Sequence, residues 1–249
     1  MKLSMRGVWR WLLWVMLAGL ALQLFFVGRI ALMVVIDPQS TAFQRSEAWR
    51  MATQPRAFTW HQQWLDYGAI SPHLKRAVLA AEDSGFNQHD GVDWDALEAA
   101  WERNERSAAQ AEAQVAQGKD PHQVKPPKVV GGSTITQQLA KNLLLSGERS
   151  LLRKGQELVL TMTLEACLSK RRILEIYLNN VEWGEGIFGA EAAAQRYFGK
   201  SARQLSAREA ARLAVMLPAP KRFEQRVNSR YLNNRASTIA ARMNTVTPP

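Results

Sequence analysis

The chain has 249 residues, 47% of them hydrophobic, one cysteine and a formal net charge of +10 at pH 7. That length supports one or two domains with a sizeable core, and the basic balance points to an anionic partner such as nucleic acid, anionic lipid or a phosphorylated substrate. The lone Cys167 excludes an intrachain disulfide, and His61, His73, His89 and His122 stand at no metal-ligand spacing, which argues against a zinc enzyme.

Lys2, Arg6 and Arg10 precede an uncharged run over residues 11–28 broken only by Gln23, and after Arg29 the apolar run resumes over 30–36. Roughly 18 to 20 such residues cross a bilayer. No small-residue cleavage site follows, so the run reads as an uncleaved signal anchor. A buried globular helix would carry a polar face, which this run lacks. The basic residues ahead of it place the N-terminus in the cytoplasm and the rest of the chain outside. The expected organisation is an N-terminus and anchor over 1–36, a connector over 37–72 and a catalytic domain over 73–249. Cutting after Ile36 is then expected to leave a folded domain.

The connector carries Pro38, Pro55 and Pro72 with Phe58, Trp60 and Trp64, aromatics that fit packing on the domain better than a seat at the bilayer interface. Leu74, Ala77, Val78 and Ala81 recur at helical spacing, which puts Glu82 on the inward face one turn beyond Val78. Asp83, Ser84 and Gly85 end that helix, and Phe86, His89, Asp90, Gly91 and Asp93 follow in a loop. A partly desolvated glutamate beside a loop suits a general base, because burial raises its pKa toward the working pH. The plainer alternative is a solvated carboxylate at a helix end. Residues 95–113 read as a helix, and from 105 to 128 the shift to Ala, Gln, Lys and Pro reads as a loop.

Gly131 and Gly132 lead into Ser133 and Thr134, and Thr134 with Gln137 has the form of a capping box, so a helix starts there with N–H groups suited to an anion. Along it Thr134, Gln138, Lys141 and Asn142 form a polar stripe, and Ile135, Leu139 and Leu143 an apolar one. Arg149 follows, then Arg153 and Lys154 one turn before Glu157 on a helix over 151–168. The ordinary reading of those three is a surface ion pair of ~0.3–0.5 kcal/mol. Further helices are expected over 170–180, 191–198, 207–217 and 229–243, with a Gly-rich loop over 183–189. No strand run, repeat, Rossmann or P-loop signature is visible. The fold class is therefore mostly α.

Five segments taken together resemble the peptidoglycan glycosyltransferases. They are Glu82-Asp83-x-x-Phe86-x-x-His89-x-Gly91-x-Asp93, then Gly131-Gly132-Ser133-Thr134-Ile135-Thr136-Gln137-Gln138-x-x-Lys141-Asn142, then Arg153-Lys154-x-x-Glu157. Arg172-Ile173-Leu174-Glu175-x-Tyr177-Leu178-Asn179 and Gly186-Ile187-x-Gly189-x-Glu191-Ala192-Ala193 complete the series, which covers about 71–223. Their order and the N-terminal anchor both match. No Ser-x-x-Lys or Lys-Thr-Gly is present, so a monofunctional member is expected, without a transpeptidase.

The resemblance implies a lysozyme-like domain of two lobes, preceded by one transmembrane helix, in the bacterial inner membrane with the domain on the periplasmic face. It implies polymerisation of lipid II, with Glu82 as the base that deprotonates the acceptor 4-hydroxyl and polyprenyl diphosphate as the leaving group. Ser133, Thr134, Gln138, Lys141, Arg149, Arg153 and Lys154 would line the donor site, with Asp83, Phe86, His89, Gln137 and Asn142 completing the substrate site. Glu157 is the family's second carboxylate, either orienting Arg153 and Lys154 or helping the leaving group. No cofactor is required, though magnesium or manganese assists some members. The implied partners are lipid II, the nascent lipid-linked glycan, membrane lipids and cell-wall synthesis proteins, and not nucleic acid. One departure is the 105–128 segment, which lengthens the interval between the first two motifs. The rival readings are a membrane-anchored lytic muramidase or transglycosylase, which would need no diphosphate site, and an anchored scaffold binding anionic lipid.

Overall fold

The computed structural model describes residues 5–55, 58–120, 124, 126, 131–145, 150–227 and 229–249. Helix α1, Met5–Leu32, has a mean hydropathy of 2.0 in its most apolar window, and its 28 residues reach about 42 Å. That is long enough to cross a membrane, in keeping with a single-pass anchor. Its C-terminal end belongs to the globular core: Ile30 and, just past the helix, Met33 are buried there, and Phe26 packs against that core. The Arg172 guanidinium fastens this junction, donating to the Met33 carbonyl at 2.7 Å and pairing with Asp37 at 2.7 Å.

Truncation after Ile36 therefore removes core side chains. Each fully buried Ile or Met is worth about 1.5–3 kcal/mol. A chain starting at Asp37 should melt several degrees below one starting at Phe26 when both are followed by thermal unfolding in detergent. Equal melting temperatures would mean that the last turn of α1 contributes nothing to the core.

The 37–72 stretch is not a plain connector. Thr41 and Gln44 form a reciprocal capping box that starts α2, Ala42–Ala52, and this helix packs against α5, Ile135–Leu144. The proline and charge content of the stretch hid the box. The aromatics pack on the domain: Phe58 stacks on Trp60, whose ring lies 4.5 Å from that of Phe188.

Three short strands also escape a search for strand runs, since two or three residues carry no periodicity. Strand β1, His61–Gln62, pairs parallel with β3, Ile187–Phe188, and β3 pairs antiparallel with β2, Glu182–Gly184. The expected loop at 183–189 is thus a hairpin. Gly186 turns it with φ 68°, and a Cβ there would sit 2.1 Å from the Thr59 carbonyl oxygen, so only glycine allows the close approach.

The remaining helices enclose one core, as a mostly α chain requires. Helix α3, Pro72–Glu82, packs against α9, Ala207–Met216, and α11, Arg230–Arg242. Helix α5 packs against α6, Leu151–Cys167, and α7, Lys170–Asn180. Helix α8, Ala190–Phe198, and the single turn α10, Pro220–Phe223, flank the hairpin. Helix α4, Trp94–Ala116, extends the 95–113 expectation and corrects the loop read from residue 105, whose Ala, Glu and Gln are good helix formers.

Candidate active site

Ser71 caps α3, Pro72 occupies its first turn, and Leu74, Ala77 and Val78 bury one face. Glu82 is the last residue of that helix, half-buried where it leaves the core. Burial raises its pKa above the usual carboxylate value, and neighbouring Asp83 adds to the rise, while a hydrogen bond from Gln138 and the charge of Arg235 oppose it. Gln138 Nε2 donates to Glu82 Oε2 at 3.0 Å, and Gln138 Oε1 accepts from the Tyr177 hydroxyl at 3.0 Å. The buried tyrosine, itself pushed well above its ordinary pKa by burial, thus fixes which end of the amide faces the glutamate.

Because the Gln138 hydrogen bond favours the ionised form, its loss should raise the Glu82 pKa. Gln138→Leu should therefore move the acidic limb of the pH–rate profile toward neutrality. A limb that stays in place or moves to lower pH would separate Glu82 from the rate-determining ionisation.

Asp83, Phe86, His89 and Gln137 hold the site together. Asp83 Oδ2 accepts from the Ile135 N–H at 2.9 Å, and its Oδ1 lies 3.0 Å from His89 Nε2. His89 Nδ1 accepts from the Gly91 N–H at 3.2 Å, so Nε2 carries the proton given to Asp83. Phe86 is buried with its ring edge-on to His89, and Gln137 is taken up by its cap with Thr134. Both side chains are thus engaged within the fold beside Glu82. Gly91, at φ 89°, brings its carbonyl to Thr134 Oγ1 at 2.6 Å, and a Cβ there would meet Thr161 Cγ2 at 2.7 Å.

The start of α5 is not an open anion site. The anion there is the Asp83 carboxylate, which suits the positive end of a helix and ties the Glu82 loop to α5. The polar groups expected to converge on that helix start instead divide between two cavities. The smaller, about 220 Å³, is lined by Glu82, Ser84, Arg103, Ser133, Thr134 and Arg242. The larger, about 420 Å³, is lined by Gln138, Lys141, Asn142, Arg153 and Glu182 against an apolar side that includes Phe43 and Leu217. Glu82 opens on the first, and its partner Gln138 on the second.

Glu157 is buried, and both its oxygens are engaged: Oε2 with Arg153 at 3.1 Å and Oε1 with the Lys154 ammonium. This is a tighter arrangement than a surface ion pair. Lys141 keeps much of its surface open, yet partial burial lowers its pKa first, with Arg153 and Lys154 adding to the effect and Glu157 opposing it. Arg149 lies outside the described residues.

Asp83, His89 and Asp93 bring ligand atoms within 4.8 Å of one another. They fit a divalent ion poorly: both Asp83 oxygens and both His89 nitrogens have protein partners, and Asp93 Oδ1 caps the Ala96 N–H. The residues that sequence reasoning missed are Arg103, Arg242 and Glu182 at the cavity walls and the bond from Tyr177 to Gln138. The first three come from α4, α11 and β2, and only the fold brings them to the site.

The transglycosylase family profile matches residues 50–244. The chain is 51% identical over 242 residues to the biosynthetic peptidoglycan transglycosylase of Burkholderia thailandensis, covering 96% of this chain and 88% of that protein. It is 47% identical over 246 residues to that of Paraburkholderia phytofirmans, covering 97% and 95%, and 50% identical over 242 residues to that of a Janthinobacterium species, covering 96% of each. Since the matched span takes in Glu82 and the polar residues of both cavities, the chain belongs to the transglycosylase family.

Proposed function

We propose that the chain polymerises lipid II into peptidoglycan strands, with Glu82 as the base and the larger cavity as the donor site. Family membership and the names of its relatives support the reaction. The observation that carries the assignment of roles is the half-buried Glu82, oriented by Gln138 and Tyr177 beside two separate cavities. Glu82 takes the proton from the acceptor 4-hydroxyl as the oxygen attacks the donor's anomeric carbon, and the polyprenyl diphosphate departs with inversion. Glu82 is suited to this because burial makes its carboxylate more basic. Lys141 and Arg153 face the cavity where the departing diphosphate gathers charge, and Glu157 positions Arg153 and Lys154. With α1 as a single-pass anchor, the catalytic domain stands on the periplasmic face, where lipid II and the nascent glycan are its partners.

A lytic muramidase would also use a glutamate, but it has no use for cations lining the second cavity. Incubating the full chain in detergent with labelled lipid II separates the readings. Polymer is the expected product; degradation of finished sacculus with no polymer would overturn the proposal.

A further inference from the structure

Glu182 lies between the last two segments that carry the resemblance. Alternation along β2 turns Trp183 into the core and leaves Glu182 on the other face, where it lines the larger cavity. Only 8% of the residue is exposed. Its Oε1 is buried without a well-aligned hydrogen bond among the described residues, and Lys221 Nζ stands 3.3 Å away. That lysine is shared with Glu47, which Arg50 also engages, and Arg50 pairs in turn with Glu185. Glu182 therefore brings a carboxylate to the cavity wall with Lys221 as its partner at that end, and a carboxylate accepts more hydrogen bonds than one ammonium at 3.3 Å supplies.

The two ends of this cavity differ in chemistry. Lys141 and Arg153 come from α5 and α6, and their charges bear on one another and on Glu157. Glu182 comes from β2, and the charges that bear on it are Lys221, Glu47 and Glu185. The complementary ligand is anionic at one end and offers hydroxyl or amide hydrogens at the other. A sugar diphosphate has that pattern. Resting on the donor-site reading above, we propose that Glu182 is a specificity-determining residue, accepting a hydrogen bond from a hydroxyl or amide N–H of the donor glycan whose diphosphate lies against Lys141 and Arg153. Lys221 already supplies a cation at 3.3 Å, so an uncharged hydroxyl or amide hydrogen is the complement that remains; burial, with Glu47 and Glu185 nearby, pushes the carboxyl up to about 7 against the pull of Lys221.

The test uses the full chain in detergent, with lipid II as substrate and sugarless polyprenyl diphosphate as competitive inhibitor. Glu182→Ala should raise the donor KM about tenfold or more, the usual cost of a lost hydrogen bond to a charged group, and leave the inhibitor constant within about twofold. Distortion of the cavity would weaken both together, and that result, or an unchanged donor KM, would overturn the inference. Lys141→Ala reports on the donor-site reading itself and should weaken substrate and inhibitor alike. If it weakens neither, the donor site is elsewhere and both proposals fall; if it behaves as expected and Glu182→Ala does not, only the role of Glu182 falls. Should Glu182→Ala not fold, the near-isosteric Glu182→Gln is measured across pH. The wild-type donor KM should fall as pH rises through about 7, because the ionised carboxylate is the stronger acceptor. The Glu182→Gln profile should be flat, and the inhibitor constant should track neither. The same slope in both proteins would overturn the inference.

Discussion

Glu82→Gln should reduce polymerisation of lipid II by about 10²–10⁴-fold while leaving the protein at least as stable as wild type at pH 7. The amide keeps the shape of the carboxylate and can still accept from Gln138, but it cannot take the acceptor's proton. The stability half follows from the raised pKa. Below the ordinary carboxylate pKa the group is protonated in both folded and unfolded chains, and its contribution to stability is fully present. As pH rises through the higher folded value, the carboxyl ionises in a half-buried site, and that contribution is lost. Glutamine never ionises, so the stability difference in favour of the variant should grow with pH and vanish in acid. Thermal unfolding of both proteins at pH 4 and pH 8 measures it. Activity within a few-fold of wild type would remove Glu82 from the mechanism, and a stability difference that shrinks with pH would mean the carboxylate is stabilised in the fold.

Lys141→Ala should cost about 10²–10³-fold in turnover of the donor, with acceptor KM changed little. Solvated surface cations cost only ~0–1 kcal/mol each when removed. Lys141 differs in that its ammonium is partly desolvated in a cavity it shares with Arg153. Glu157→Gln adds a second reading of the same cluster. Loss of the charge that both Arg153 and Lys154 engage should destabilise the protein by about 1.5–3 kcal/mol, the usual worth of a hydrogen bond to a charged group, since only Glu157 of the three is buried, and lower donor turnover as the two cations lose their seat. A glutamate acting on the leaving group itself would instead lose turnover with no change in melting temperature.

Helical periodicity and capping chemistry made most of the fold legible. The Thr134 and Gln137 box starts α5 as expected, α7 runs over Lys170–Asn180 as expected, and Ser206 caps α9. What escaped depends on contacts between distant segments. Two-residue strands acquire their identity only when His61 meets Ile187 across the sheet, and α2 was masked by charged residues with little amphipathic pattern. At the site, the helix-face argument put Glu82 at the edge of the core and Gln138 and Lys141 on a polar stripe, as observed. At the start of α5, the partner of the Ile135 N–H escaped because Asp83 is 52 residues distant in sequence. Spacing along one helix cannot reveal that a carboxylate distant in sequence already takes the Ile135 N–H.

The pair formed by Gln23 and Gln156 has a consequence for how substrate arrives. Their side-chain amides exchange two hydrogen bonds, at 2.8 and 3.1 Å, and Gln23 stands nine residues before the end of α1, or about 13 Å along its axis. Shifting α1 by a single residue would swing Gln23 about 100° away from its partner, so the pair fixes both the rotation and the height of the apolar helix beside α6. With α1 in a bilayer, the pair ties α6 to the anchor, and Leu151 and Leu152, 92% and 89% exposed, stand on the same helix directly before Arg153. A prenyl-linked substrate would then meet Arg153 on a helix that is itself fastened to the apolar anchor.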